Sequence, residues 1–187
     1  MKLKTGIKKI SKCRFLIFFL LWNPEIHLEW IQNKKYNYSN RDYIIVIRKE
    51  FVNRKGDLES LKNSCVRGGS EFIVITGRRR IGKTRLLQEF SRGRDNIFLM
   101  CEERKWEYNL NKFNTKIGEY YGIPTPNFSS FRDCFEYISG QDRRPIIVID
   151  EFSYLMKNRD IPGAFQGIAD EILPASEIKL ILSGSAV

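Results

Sequence analysis

Histidine is nearly absent from this sequence: the one residue, His27, lies close to the amino terminus. The remainder of the chain therefore cannot hold a Ser-His-Asp triad or a histidine-rich metal centre. Cysteine is scarce too. Cys13, Cys65, Cys101 and Cys134 form no CxxC pair and mostly sit in apolar patterns. That argues against a zinc site or a disulfide framework and for reduced, buried thiols in a cytoplasmic protein. Long apolar runs are missing as well. The longest, Phe15 to Trp22, has eight residues and is stopped by Asn23-Pro24. As a helix it would cover about 12 Å of a hydrocarbon core about 30 Å thick, so it cannot span. No small-x-small cleavage site follows it, which disfavours a secretory signal. Neither the first fifty residues nor the rest has an acidic surplus, and the net charge of +10 is uneven. Residues 1–50 carry 11 Lys/Arg against 4 acids, whereas residues 51–187 carry 21 against 18. The basicity thus belongs to the amino-terminal fifty residues and gives no firm reason to assign nucleic acid to the rest.

What the chain does contain is a phosphate-binding pattern. Gly77 to Thr84 read G-R-R-R-I-G-K-T, the GxxxxGK[ST] spacing of a P-loop. Two glycines allow a tight turn whose successive N–H groups face an anion. Lys83 supplies a mobile point charge toward the β and γ phosphates, and the Thr84 hydroxyl can ligate Mg²⁺. Arg78, Arg79, Arg80 and Ile81 lie inside the loop, where only the backbone must face the ligand. The arginine side chains either project outward or assist the triphosphate. Upstream, Phe72 to Thr76 reads as a buried strand; downstream, Leu86, Leu87 and Phe90 fall at helical spacing. Strand, glycine loop and helix aim a helix N-terminus at a phosphate.

A second carboxylate site follows. Ile146 to Ile149, then Asp150-Glu151, is a doubly apolar strand ending in two acids, which predicts a central parallel strand. Asp150 is placed to hold Mg²⁺ and Glu151 to polarise a water as general base. A third strand, Ile178 to Leu182, runs into Ser183-Gly184-Ser185. That tip either meets the γ-phosphate or its water, through Ser183, or is an ordinary turn. The remaining pattern alternates. Leu58, Leu61 and Cys65 mark a first helix stopped by Gly68-Gly69, and Asn96 to Cys101 a strand. Trp106, Leu110, Phe113, Ile117 and Tyr120/Tyr121 trace one helical face ended by Gly122. Ser129 or Ser130 caps a helix that turns Phe131, Phe135 and Ile138 inward, and Phe165, Ile168 and Ile172 face a last one. Such alternation predicts a three-layer α/β fold on a parallel sheet.

The segments Phe51 to Leu61, Ile75 to Leu87, Ile146 to Leu155 and Ile178 to Ser185 together resemble the archaeal-type ATPase domain family, in the STAND branch of the AAA-like P-loop ATPases. The resemblance covers residues 51–187. It implies a mostly parallel sheet ordered P-loop strand, Ile178 strand, Asp150 strand, Ile97 strand. It implies ATP and Mg²⁺ as ligands, with Phe51, Val52 and Arg54 near base and sugar. Lys55 stands where the family usually has an acid. Family members continue into a fifth strand, a helical lid and often an effector region, and this sequence stops at Val187.

The expectation is therefore an ATP-binding P-loop NTPase of the STAND type, whose nucleotide state controls a protein partner or attached effector. The alternative is a truncated remnant that binds nucleotide weakly or not at all. Ending at Val187 leaves the Phe72–Thr76 strand as a sheet edge, with self-association expected unless Tyr43 to Ile47 covers it, and omits the lid, with low affinity and turnover near background expected. Three readings stand for residues 1–50: a membrane-surface anchor with basic flanks, an over-extended or joined start, or an arm in which Tyr43 to Ile47 pairs as a strand.

Overall fold

The computed structural model describes residues 44–48, 54–66 and 69–185. The basic and apolar tail before residue 44, Phe51, Val52 and Val187 lie outside them. Five strands form one sheet: β1 (Ile44–Arg48), β2 (Glu71–Gly77), β3 (Asn96–Met100), β4 (Ile146–Asp150) and β5 (Lys179–Ser185). Their spatial order is β1-β2-β5-β4-β3, and every neighbouring pair runs parallel. The expected order of the four later strands is thus the observed one.

Alternation along the strands divides the core into two layers. Phe72 and Val74 on β2, Ile147 and Ile149 on β4, and Leu180 and Leu182 on β5 face one side. There they meet α3 (Trp106–Tyr121) through Leu110, Phe113 and Ile117, and α4 (Phe131–Ser139) through Phe131, Phe135 and Ile138. α5 (Asp160–Gly167) adds Ile161 and Phe165. Ile73, Ile75, Val148 and Ile181 face the other side. They pack on Leu61 of α1 (Arg54–Val66) and on Leu86, Leu87 and Phe90 of α2 (Lys83–Ser91). A strand apolar on both faces is stable only between two helix layers, so the sequence runs and the layering imply each other. The aromatic stripe of α3 is core: Phe113 meets Phe131 and Phe135 at centroid distances of 5.9 and 6.0 Å. Cys101 and Cys134 are buried free thiols, Cys65 is half-buried, and burial pushes the Cys134 thiol up to about 12. No helix among the described residues is long and apolar enough to cross a membrane.

Two details depart from the sequence expectations, and a third decides between readings the sequence left open. β5 does not stop at Leu182: Ser183, Gly184 and Ser185 are strand residues paired with Ile75, Thr76 and Gly77, and are buried. The last helix is not uniform, since α5 passes into a π-helical turn (Ile168–Ile172) and a 3₁₀ turn (Leu173–Ala175). Pro174 has no N–H to return to a carbonyl four residues back, and its ring crowds that carbonyl, so regular α geometry cannot pass through it. Finally, the β2 edge is not bare. β1 pairs along it, Ile44 opposite Phe72 through Arg48 opposite Thr76, which is the third of the readings given for the amino-terminal arm.

Candidate nucleotide site

The site is built at the carboxyl ends of the central strands. β2 ends at Gly77, and α2 begins six residues later at Lys83. The loop between them turns through two left-handed residues, Arg80 at φ 65° and Gly82 at φ 88°. Gly82 adopts that conformation freely, whereas Arg80 carries backbone strain of about 1–3 kcal/mol. Strain of this kind persists where the surroundings over-determine a loop, as at ligand clamps. Gly82 is also the N-cap of α2 and offers no side-chain acceptor to the first turn. The leading N–H groups of α2 are left for an anion. Arg78, Arg79 and Arg80 are exposed, so their side chains project from the loop, while Ile81 and Thr84 are half-buried.

Lys83 folds back under the loop and is only 4% exposed. Its Nζ donates to the Gly77 carbonyl at 2.9 Å, to the Arg78 carbonyl at 2.9 Å and to Ser185 Oγ at 3.3 Å. Burial lowers the pKa of this ammonium, against the raising influence of the Glu151 and Asp150 charges. The cation and both acids therefore share one electrostatic neighbourhood.

Asp150 closes β4 and is fully buried. One carboxylate oxygen, Oδ1, accepts from the Glu151 backbone N–H at 3.0 Å. The other, Oδ2, is buried without a hydrogen-bond partner, and so is Ser183 Oγ on the next strand. Ile149 pairs with Leu182, so Asp150 and Ser183 come next along adjacent strands. Two orphaned buried polar atoms side by side are costly unless a ligand completes them. Thr84 and Asp150 fit Mg²⁺, which takes one or two protein oxygens and the rest from phosphate and water. No cluster of three or more His, Cys, Asp or Glu among the described residues could hold a metal by itself. Glu151 is half-buried and left-handed, with φ 51° and ψ 39°, at the start of a 3₁₀ turn (Phe152–Lys157).

The structure thus gathers Lys83, Asp150, Glu151 and Ser183 at one end of the sheet, with Thr84 on the first turn of α2. Arg54 opens α1, which packs beside α2. Ser185 is the residue the sequence reading did not single out. Had the strand been read through to 185, its period of two would have put Ser183 and Ser185 on one face. A separate cleft of about 500 Å³ lies at the amino ends of the strands, lined by Arg94, Asp95, Arg144, Glu177 and Lys179. Its charges are already engaged in part, for example Arg144 with Glu177 at 3.8 Å, and it is remote from the phosphate loop.

Comparison with known proteins bears on the domain as a whole. A family described as an ATPase domain predominantly from Archaea matches residues 51–186. An uncharacterized protein of Methanocaldococcus jannaschii is 32% identical over 138 residues, covering 73% of this chain and 30% of its own length. An uncharacterized ATP-binding protein of the same organism is 45% identical over 40 residues, 21% of this chain and 68% of its own. Among solved structures, Cdc6p from Pyrobaculum aerophilum superposes with a TM-score of 0.51 at 18% identity, over 74% of this chain and 40% of that one. The last likeness bears on fold alone. The chain spans less than a third of the first of these relatives. With a matched segment that runs from before α1 to the end of β5, this chain belongs to the ATPase domain family found predominantly in Archaea, a nucleotide-binding, ATPase-type P-loop fold.

Proposed function

We propose that the domain binds Mg-ATP across the carboxyl ends of β2, β5 and β4 and hydrolyses it. The observation that carries this reading is a buried, loop-held Lys83 in the electrostatic field of Asp150, whose second oxygen is buried without a hydrogen-bond partner. The loop N–H groups from Gly77 to Thr84 receive the phosphates, Lys83 neutralises them, and Thr84 and Asp150 hold Mg²⁺. The metal, when bound, offsets negative charge that builds on the phosphate oxygens. Glu151 orients the attacking water and accepts its proton, and its left-handed backbone sets the direction of the carboxylate. Ser183 lends its hydroxyl beside the terminal phosphate. Phe51, Val52 and Arg54 contribute to the base and sugar end. A relative described as ATP-binding supports ATP as the triphosphate. In a longer protein, the change between triphosphate and diphosphate would be passed to a partner or effector region as a switch of the STAND type.

Titration with a fluorescent ATP analogue tests the proposal. Lys83→Ala should weaken binding by at least about tenfold, because a charge-assisted bond contributes roughly 1.5–3 kcal/mol. Asp150→Ala should abolish the dependence of affinity on Mg²⁺. Glu151→Gln should keep the affinity and lose turnover. Equal affinity of the wild type and Lys83→Ala would overturn the assignment of the site.

A further inference from the structure

We propose that Ser185 sets the nucleotide affinity of this domain by latching Lys83 in a closed, phosphate-free position. The inference rests on the nucleotide site described above and concerns a residue that site does not otherwise need. A lysine ammonium has three N–H donors. In this structure all three are taken, by the Gly77 and Arg78 carbonyls and by Ser185 Oγ. No donor remains for a phosphate oxygen, so at least one bond must open when nucleotide arrives.

Which bond opens follows from geometry and from chain connectivity. The two carbonyls belong to the loop itself and lie at 2.9 Å. Ser185 comes from a different strand, 102 residues later in the chain, and its contact is the longest at 3.3 Å. Its acceptor is a neutral hydroxyl, and a charged phosphate oxygen outcompetes a neutral one. Ser185 is also the register partner of Gly77, the last residue of β2 before the loop. The contact therefore ties the end of β5 to the mouth of the phosphate loop, at a point only 4% exposed. A bond made in the empty state and broken in the bound state subtracts from affinity by its own worth.

Removing the hydroxyl should thus strengthen binding. Ser185→Ala leaves the buried ammonium with an unused donor in the empty protein, and the phosphate then fills it. Loss of one ordinary hydrogen bond from the empty state corresponds to about fivefold tighter binding. Ser185→Cys keeps the side-chain shape with a slightly larger atom, replaces oxygen by a weak acceptor, and should behave like Ser185→Ala. Ser185→Thr keeps the hydroxyl and should match the wild type.

Two measurements on the intact chain decide the matter. The first uses no nucleotide. Acetic anhydride acylates Lys83 at a rate read by peptide mass spectrometry against the other lysines. The rate should rise in the Ala and Cys variants and stay at the wild-type value in Thr. The second is titration with the fluorescent ATP analogue, expected to be about fivefold tighter for Ala and Cys. A purely structural role for Ser185 would weaken binding instead. Unchanged acylation, or affinity equal to or below the wild type in both variants, would overturn the latch. If the wild type itself fails to bind the analogue, the proposed function falls. The acylation rates alone then support or overturn the Lys83–Ser185 contact.

Discussion

Asp95 and Arg143 sit 48 residues apart in the chain and meet through two hydrogen bonds, Nε at 3.0 Å and Nη2 at 2.5 Å. Tyr120 donates its hydroxyl to the same carboxylate, and the guanidinium lies 4.4 Å from the Tyr120 ring centroid. Arg143 foremost holds the Asp95 carboxyl below the usual carboxylate range, with help from Tyr120. The folded pKa is depressed, so the stabilisation is present above the unfolded value and is lost as pH falls through the folded one. Asp95→Asn should cost under about 1 kcal/mol at pH 7, since the pair is exposed and screened. The gap should close below pH 3.8, the ordinary aspartate value. Urea unfolding of both proteins at neutral and acid pH checks this, and a gap constant across pH would refute it. Legibility also varies residue by residue. Lys83, Asp150 and Glu151 stand out because their chemistry is tied to a spacing. The left-handed conformations of Arg80 and Glu151 leave no trace in residue type. They come from the path the chain must take between strand and helix, a tertiary constraint that overrides preference.

At the scale of single elements, α4 shows the most complete local logic. Ser130 is its N-cap, and the hydroxyl accepts from the Asp133 N–H at 3.1 Å while Asp133 Oδ2 accepts from the Ser130 N–H at 3.0 Å. Ser129 reaches only the Asp133 carboxylate, at 2.9 Å. The sequence offered both serines as caps, and the structure selects Ser130. Ser130→Ala should therefore cost about 1 kcal/mol by orphaning a backbone donor. Ser129→Ala should cost clearly less, because every backbone group stays paired. Thermal melts of the two variants give the order, and a larger loss from Ser129→Ala would refute the assignment. Helices whose stripe runs from a cap to a terminator were legible in the same way. Gly122 at φ 67° ends α3 where its pattern runs out. The segment after α5 was not legible. Phe165, Ile168 and Ile172 keep an inward face through a change of helix type, so the apolar spacing conceals the π turn forced near Pro174. β5 was cut short for the opposite reason: Ser183-Gly184-Ser185 is small and polar, which suits a strand tip or a turn, yet pairing with the loop strand keeps it extended.

For the molecule as a whole, the layer plan was legible because strand–helix alternation admits few topologies, whereas the order of strands came from family resemblance. Whether Tyr43 to Ile47 pairs at all was left open by the sequence, and the edge of Phe72–Thr76 was the place it offered. An isolated run of branched residues carries no address, and only the free edge of β2 supplies one. A chain starting at Phe51 should expose that edge, with its unpaired N–H and C=O groups beside buried apolar faces. It should self-associate more strongly than the full chain, as size-exclusion chromatography over a concentration series would show. Equal elution of the two would mean that β1 adds no protection. The position of β5 has a different consequence, one for synthesis. β5 lies between β2 and β4 in the sheet, yet it follows both in the chain. A ribosome therefore releases the flanks of the sheet before its middle strand. Until residue 185 has left the exit tunnel, β2 and β4 each present an open apolar edge and cannot close on one another. Nascent chains paused between β4 and β5 are accordingly the form most exposed to misassembly and most in need of a chaperone.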